Sequence, residues 1–281
     1  GQGHETTYID LVSKYLNVAP ELFDFIQADT FEVRLGSGHG GARSMHMGAA
    51  TMMLSVEEVI NKATGVAAVL LQAEPDDLSF EKGVFASAAG NKSVTLQEVA
   101  LAARDRKIAP DLTGFGLDTF TKRENAPFTF PNGCHAAEVE VDPDTGLVNL
   151  LRYIMVDDYG SLVNPALTEG QLHGGVAQGI GQALMEFVSF EKSTGQLLSG
   201  SLMDYTLPRA AMLPNFEATL DGTPTDANTL GVKGVGQAGC IAAPQTVVHA
   251  VLNALAPLKI THLDMPLTSQ NIWRAISGAR G

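Results

Sequence analysis

A glycine-rich segment at residues 231–244 constrains this chain more than any other feature of its sequence. Glycines stand at positions 231, 234, 236 and 239, Gln237 lies among them, and an apolar stretch typical of a helix follows. Glycine lacks a Cβ and readily adopts positive φ, so such a loop lets bare backbone approach a ligand or another chain segment. Gln237 could therefore serve as a reactive group, a binding group or a spacer.

The composition is that of a globular protein and argues against several function classes. Hydrophobic residues make up 45% of the 281 positions. The net charge of −13 argues against a nucleic-acid groove and against binding to an anionic membrane surface. Two cysteines, Cys134 and Cys240, are too few for an iron–sulfur cluster and indicate a reducing, cytoplasmic location. No apolar run reaches the roughly 18–20 residues of a membrane span, so we expect none.

Periodicity and turn signals predict an α+β fold, because helices alternate with frequent hairpins. Asn164 and Pro165 suit the N-cap and the first turn of one helix. The predicted helices cover residues 5–17, 44–73, 96–103, 164–187, 244–255 and 268–276. The predicted strands cover residues 23–27, 136–141, 147–156 and 216–220, with hairpin turns at 142–146 and 193–196.

Three regions of different character follow one another along the chain. Residues 106–131 hold turn signals and little periodicity, which predicts a connector. We therefore expect a first subdomain over 1–105 and a second over 132–281.

The helix predicted from residue 164 contains five glycines, at 170, 174, 175, 179 and 181. Each glycine costs about 0.8–1 kcal/mol relative to alanine, so packing or ligand contact must offset roughly 4–5 kcal/mol. Gln171, Gln178 and Gln182 share one face of this helix, and their carboxamides suit the edge of a heterocycle. A helix packed tightly on a neighbour, with solvated glutamines, explains the pattern equally well.

A second glycine-rich loop, residues 36–44, ends where a helix is predicted to begin. Exposed N–H groups at a helix start bind anions, and Arg43 could add a bidentate contact to phosphate. A Ser44 cap after a flexible loop is the commoner alternative. The seven histidines lack the spacing of zinc ligands, so no metal bound directly by the protein is expected.

Together these segments resemble the molybdenum hydroxylases, the xanthine dehydrogenase and aldehyde oxidase family, and especially the large subunit of aerobic carbon monoxide dehydrogenase. The matching pieces follow the family's order along the chain and lie at residues 1–7, 36–44, 132–146, 156–158, 164–165, 169–175, 203–208 and 231–244. The resemblance covers only the C-terminal part of such a subunit. It implies a molybdopterin-binding lobe of an oxidoreductase that oxidises carbon monoxide, aldehydes or N-heteroaromatics with water as the oxygen source.

The resemblance also implies which residues form the site. In the family a glutamate beside the metal acts as general base, and Gln237 stands at that position here. A neutral carboxamide has no useful basicity near neutral pH, although it can still hydrogen-bond a substrate. Ala42 and Tyr159 stand where relatives often have Ser and Cys. The implied cofactor-binding residues are Gly1, Gln2, Gly3, His4, Ala42, Arg43, Ser44, Asp158, Gln171, Gly234, Val235 and Gly236.

The cofactor implied by the resemblance is molybdopterin with molybdenum, in the cytosine dinucleotide form, while FAD and 2Fe-2S clusters belong to partner subunits. The expected partners are the N-terminal half of the large subunit, an iron–sulfur subunit and an FAD subunit in a dimer of heterotrimers, with a small-molecule substrate. Because Gln237 replaces the glutamate and the N-terminal half is absent, a catalytically silent cofactor-binding or assembly module is the alternative. A glycine-rich nucleotide-binding protein unrelated to molybdenum is a third hypothesis.

Overall fold

A computed structural model describes residues 1–33, 35–36, 38–88, 91–109, 116–124 and 126–280. The chain divides into two compact units, each with its own hydrophobic core. The first unit comprises Gly1, Gly3–Phe128 and Ala227–Leu230, and the second comprises Gln2, Thr129–Asp226 and Gly231–Gly281. The division into subdomains at 1–105 and 132–281 with a connector at 106–131 stays a prediction.

The first unit packs three helices and a small sheet around Phe85 and Val99, both fully buried. The helices predicted at 5–17, 44–73 and 96–103 are confirmed, but the second of them starts with a π-helical turn at Ser44–Ala49. In that turn the Gly48 N–H donates to the Arg43 carbonyl at 3.3 Å, five residues back. The elements are α1 (His4–Leu16), α2 (Ala50–Leu71), β1 (Leu78–Glu81), β2 (Val84–Ser87), β3 (Lys92–Thr95) and α3 (Leu96–Ala102).

Two strand assignments in this unit need correction. The strand predicted at 23–27 is wrong, because these residues pair with no other strand in the described ranges; only Phe23 packs partly against the core. The antiparallel sheet β1–β2–β3 was not predicted. Its strands have four residues each, which is too short for a period-2 pattern to stand out.

The second unit places two long helices against a mixed sheet. In the sheet β4 pairs antiparallel with β5, and β6 pairs parallel with β5. The hairpin predicted from residues 142–146 is confirmed, as are β6 and the Asn164 N-cap, whose Oδ1 accepts from Leu167 N at 3.1 Å. The elements are β4 (Asn132–Val141), β5 (Val148–Asp158), α4 (Pro165–Leu184), β6 (Phe216–Leu220), α5 (Ala238–Leu255) and α6 (Ser269–Arg280).

Helices α4 and α5 approach each other at glycines. A Cβ built on Gly179 of α4 would lie 2.6 Å from the Ala243 Cβ, and one on Gly239 of α5 would lie 2.6 Å from the Leu172 carbonyl oxygen. The predicted helix start at 244 is wrong, since α5 begins at Ala238 and contains Pro244. The proline ring fits there because the opposing position, Gly179, has no side chain; its Cβ would be 2.9 Å from the Pro244 Cδ.

Close packing explains three of the five glycines of α4. Besides Gly179, Gly175 faces the Cys240 nitrogen at 3.0 Å and Gly181 faces the Pro208 Cδ at 2.9 Å, each measured from a built Cβ. Gly170 and Gly174 have no atom within 4 Å of such a Cβ. The packing interpretation therefore leaves two exposed glycines on α4 without an explanation.

Within the described residues, one helical stretch, Ala238–Leu258, is long and apolar enough to cross a membrane by length and composition alone, which we did not expect from the sequence. A core helix of a soluble protein passes the same test. Val247 and Val251 of this stretch are fully buried in the core of the second unit. These contacts place α5 as a core helix of that unit.

Candidate functional site

The start of the glycine-rich segment is paired with the chain that leaves β5. Gly160 and Val232 form an antiparallel bridge. The Ser161 N–H donates to the Gly231 carbonyl at 2.8 Å, and the Lys233 N–H donates to the Tyr159 carbonyl at 2.9 Å. Gly231 has a φ of 65°, and a Cβ there would lie 2.8 Å from the Ser161 Oγ. Residues 231–233 are therefore fixed, and they form a rigid base for the residues that follow, of which Gly236 and Gln237 are exposed.

Asp158, predicted to bind the cofactor, joins β5 to this segment. Its Oδ1 accepts from the backbone N–H groups of Gly160 at 2.8 Å and Thr223 at 3.0 Å. Its Oδ2 lies 2.5 Å from the Lys233 Nζ, and the two side chains are only 16% and 12% exposed. Burial alone would raise the pKa of Asp158, but the Lys233 ammonium and the two N–H groups hold that pKa below 3.8. Asp158 thus positions the glycine-rich segment through groups of this chain.

The neighbouring residue, Asp157, points to the opposite side of β5 and is buried. Its carboxylate lies 3.1 Å from the His135 Nε2, and the His135 Nδ1 lies 2.9 Å from the Tyr153 hydroxyl. Burial, with a further contribution from the Asp157 carboxylate, raises the pKa of Tyr153 to about 12. The same two causes raise the pKa of Tyr159. This polar network supports the end of β5 from inside.

Gln171 and the loop carrying Gln237 lie on the same part of the second unit. The Gln171 Oε1 lies 3.9 Å from the position that a Cβ on Gly236 would take. Gln237 is exposed at the N-cap of α5 and makes no side-chain capping bond. Gly234 is buried and Val235 packs against the core, so the loop turns outward only at its tip. Gln171 therefore lies beside Gly236, the residue that precedes Gln237.

The first unit brings together two other predicted segments, the start of α1 and the loop before the π-helical turn. The Tyr8 hydroxyl donates to the Ser44 carbonyl at 2.6 Å. The His4 ring stacks on Tyr8 with centroids 5.7 Å apart and meets the His39 ring edge-on at 5.8 Å. Gly3, with a φ of 73°, forms the N-cap of α1. Gly1 and Gln2, which precede Gly3 in the sequence, are exposed.

The loop before Ser44 presents open backbone beside an arginine. Gly41 has a φ of 71°, and Ala42 has a φ of 54°, a conformation that costs a residue with a Cβ of order 1–3 kcal/mol. Nothing lies within 4 Å of a Cβ built on Gly40 or Gly41. The Arg43 Nε donates to the Gly38 carbonyl at 3.0 Å, which turns the guanidinium back along the loop. Such strain and openness are typical of a ligand clamp.

His46 is a residue that the sequence reasoning missed. It is 2% exposed, and its Nδ1 has no hydrogen-bond partner among the described residues. Burial, followed by the charges of Arg123 and Arg43, lowers its pKa. The signal that could have identified it is its position two residues after Ser44. Lys233 was also missed, although it is a charged residue inside an otherwise uncharged motif.

The sequence matches a known domain family and several curated proteins. Residues 1–214 match the family described as molybdopterin cofactor-binding domain. The carbon monoxide dehydrogenase large chain of Hydrogenophaga pseudoflava is 32% identical over 277 residues, which are 98% of this chain and 34% of that protein. The nicotine 6-hydroxylase large subunit of Paenarthrobacter nicotinovorans is 34% identical over 284 residues, 99% of this chain and 34% of that protein.

Solved structures give the same result. The Cu,Mo-CO dehydrogenase matches with a TM-score of 0.89 and 28% identity, over 100% of this chain and 35% of that one. Quinoline 2-oxidoreductase from Pseudomonas putida 86 matches with a TM-score of 0.84 and 32% identity, over 99% of this chain and 35% of that one. The α+β fold class is therefore confirmed. This chain spans about a third of the length of the relatives it matches.

Proposed function

This chain belongs to the molybdopterin cofactor-binding domain family, and we propose that it forms part of the cofactor site of a hydroxylase-type molybdenum oxidoreductase. The proposed reaction is oxidation of carbon monoxide, an aldehyde or an N-heteroaromatic compound, with water as the oxygen source. The family match over residues 1–214 is the observation that carries the proposal. Relatives named for carbon monoxide, nicotine and quinoline support the reaction class.

The residues of each unit fit a molybdopterin group. Open backbone at Gly40 and Gly41, beside Arg43, suits an anionic phosphate, because backbone N–H groups and a guanidinium both favour negative charge. The Gln171 carboxamide beside Gly236 offers donors and acceptors to the edge of a heterocycle. When bound, the molybdenum would supply the redox chemistry, and the residues of each unit are separate candidates for contacts that would hold the group. Asp158 contributes by holding the segment that carries Gln237.

Several finer features complete the proposal. The pterin carries a cytosine dinucleotide, FAD and 2Fe-2S clusters reside on partner subunits, and the N-terminal half of the large subunit supplies the rest of the pocket. The whole forms a dimer of heterotrimers in the cytoplasm. Names such as large subunit and complex subunit gamma among the relatives support a multisubunit assembly. Acid hydrolysis of the purified complex should release CMP, measured by chromatography, and release of another nucleotide would contradict the dinucleotide assignment.

The role of Gln237 distinguishes a catalytically active site from a catalytically silent one. Its exposed carboxamide can hydrogen-bond a substrate but cannot take a proton near neutral pH. Two roles follow: the assembled enzyme has its base elsewhere and uses Gln237 to orient substrate, or the site is silent. Because the matched relatives are named as dehydrogenases and hydroxylases, the active role is favoured.

The test is Gln237→Glu in the assembled enzyme, with Gln237→Ala as the matched control and molybdenum content measured for each. If the site lacks only its base, the Glu variant should gain about 10²–10⁴-fold in turnover, the usual contribution of a general base. The Ala variant should gain nothing. An unchanged or lower rate in the Glu variant at equal molybdenum content would instead place the base on another residue.

A further inference from the structure

Residues 187–212 of the second unit carry nine large hydrophobic side chains that are exposed. The most exposed are Met203 at 93% and Leu202 at 76%, and they are accompanied by Phe187, Phe190 and Leu198, each more than half exposed. Single exposed hydrophobic residues are normal on a protein surface, but a dense set marks an interaction site. We call residues 187–212 the apolar hairpin surface.

Hydrogen bonds hold this surface in one shape. Phe190 and Leu197 form an antiparallel bridge, which gives one hairpin with its turn at 193–196. In that turn the Glu191 Oε2 accepts from the backbone N–H groups of Ser193 at 2.9 Å and Thr194 at 2.7 Å. The Ser193 and Thr194 hydroxyls donate to the same oxygen. The hydrogen bond from the Ser193 hydroxyl, followed by those from the Ser193 N–H and from Thr194, lowers the pKa of Glu191 to about 2. The hairpin is therefore an ordered element and not a loose loop.

A second turn displays Leu202 and Met203. The Tyr205 N–H donates to the Ser201 carbonyl at 2.8 Å, and the Ser201 Oγ donates to the Asp204 Oδ2 at 2.9 Å. The Tyr205 hydroxyl donates to the Glu186 Oε2 at 2.5 Å, which ties this turn to the base of the hairpin. A fixed display of apolar side chains lowers the entropy cost of binding, as expected of a preformed docking site.

Charge indicates the kind of partner. Residues 187–212 contain two acidic residues, Glu191 and Asp204, and two basic residues, Lys192 and Arg209, so their net charge is zero, whereas the whole chain carries −13. The centres of protein–protein interfaces are depleted of charge in this way. Nucleic acid and anionic membrane would require a clear excess of basic residues. The surface therefore suits another protein surface that is apolar and nearly uncharged.

We propose that the apolar hairpin surface docks onto the part of the large-subunit polypeptide that lies outside these 281 residues, with Leu202 and Met203 as the anchoring side chains. The proposal rests on the proposed function. Almost all of this chain aligns with these relatives, but the alignment covers only 34% and 35% of their length. About two thirds of each relative is therefore further polypeptide that is available to cover this surface. Anchoring side chains at an interface fill well-packed, desolvated pockets of the partner, and methionine is enriched at such interfaces.

The first experiment co-expresses this chain with the remaining large-subunit polypeptide and replaces Met203 by the photo-cross-linking residue p-benzoylphenylalanine. The matched control carries the same residue in place of Phe31, which is 97% exposed and lies in the first unit. We expect a cross-link from position 203 to the remaining polypeptide and none from position 31. Cross-links from position 203 only to a second copy of this chain, or no cross-link at all, would overturn the proposal.

The second experiment measures affinity. The double substitution Leu202→Ser and Met203→Ser should weaken copurification of the remaining polypeptide at least tenfold, while Phe31→Ser should leave it unchanged. Both variants should keep the circular dichroism of the original chain, because the replaced side chains are exposed. If the original chain recruits the polypeptide but position 203 does not cross-link, only this inference fails. If the original chain recruits nothing, the proposed assembly fails and the docking proposal fails with it.

Discussion

The ion pair between Asp158 and Lys233 should control how firmly the glycine-rich segment is held. The informative change is Lys233→Met, which keeps an unbranched side chain of similar length and removes the ammonium. It leaves a mostly buried carboxylate, at 16% exposure, with its two backbone donors from Gly160 and Thr223 and a longer 3.4 Å bond from the Asn132 Nδ2. The carboxylate thereby loses one of three strong partners.

The expected cost follows from this geometry. Hydrogen bonds to charged groups contribute about 1.5–3 kcal/mol, and removing one partner of a fully buried pair costs about 3–5 kcal/mol. Since Asp158 keeps its two backbone donors and the weaker Asn132 donor and retains some solvent contact, we expect a loss of about 2 kcal/mol in the free energy of unfolding. For a unit of this size that corresponds to a decrease in Tm of about 4–8 °C. Asp158→Asn should cost a similar amount, and the two changes should not add, because either one removes the pair.

Tryptophan fluorescence is a suitable assay, because Trp273 is the single tryptophan and lies in α6 of the second unit. Urea unfolding gives the free energy, and hydrogen exchange at the Val232 and Lys233 amides reports on the segment itself. The control is Arg152→Met, which removes an ion pair with Glu217 in which both side chains are 53% exposed. The free energy of unfolding of that variant should fall by less than about 1 kcal/mol, because solvent-exposed ion pairs contribute little to stability.

The pH dependence has a defined sign. The pKa of Asp158 is lower in the folded chain than its ordinary 3.8, so its contribution is fully present above about pH 4. It decreases as the pH falls through the folded pKa, and the difference in stability between the original chain and Asp158→Asn should narrow there. The reasoning would be refuted by a Lys233→Met variant with unchanged amide exchange whose free energy of unfolding lies within about 0.5 kcal/mol of the original chain, the usual range of a neutral surface substitution. Backbone pairing alone would then hold the segment.

Three further predictions follow from individual contacts. Gly179→Ala should destabilise the second unit by about 1–3 kcal/mol through overpacking, while Gly174→Ala, with nothing within 4 Å, should stabilise isolated protein by about 1 kcal/mol in thermal unfolding. Because the pKa of Glu191 is lowered to about 2, its support of the hairpin turn should persist above pH 4.5 and fade as the pH falls toward 2, observable by NMR titration. Tyr8→Phe removes the bond to the Ser44 carbonyl and should cost about 1 kcal/mol in urea unfolding of the first unit.

Local sequence signals predicted the elements that local chemistry determines. Asn164 followed by Pro165 marked the start of α4, and the turn at 142–146 marked the β4–β5 hairpin, because capping and turn residues act within a few positions. The sheet β1–β3 was missed because four-residue strands are defined by their partners. Pro244 was misassigned as a helix start because its acceptance inside α5 depends on Gly179 of another helix.

In the candidate site, too, some features could be predicted from local sequence and others depend on distant residues. Glycine positions identified the segment at 231–239 and the loop before Ser44, and a family resemblance pointed to Gln171 and Gln237. The sequence could not show that Asp158 is engaged by Lys233, because 75 positions separate them. It also could not separate Gly174, which is open, from Gly179, which is packed, since both fit the same helical pattern. Partners distant in sequence decide these roles.

The π-helical turn at Ser44–Ala49 has a geometric consequence. A π turn holds about one residue more than an α turn, and one residue corresponds to about 100° around the helix axis. Rewinding the same six residues as a regular α-helix would therefore rotate everything before the turn by about that angle, while Met53 and Val56 stayed on the core. Arg43 would then point to a different side of the unit. Removing one residue together with the π turn would leave the direction of the preceding loop nearly unchanged, because the shorter α turn covers about the same angle. The π-helical winding of this turn, more than the identity of any one of its residues, sets the direction in which the loop before α2 faces.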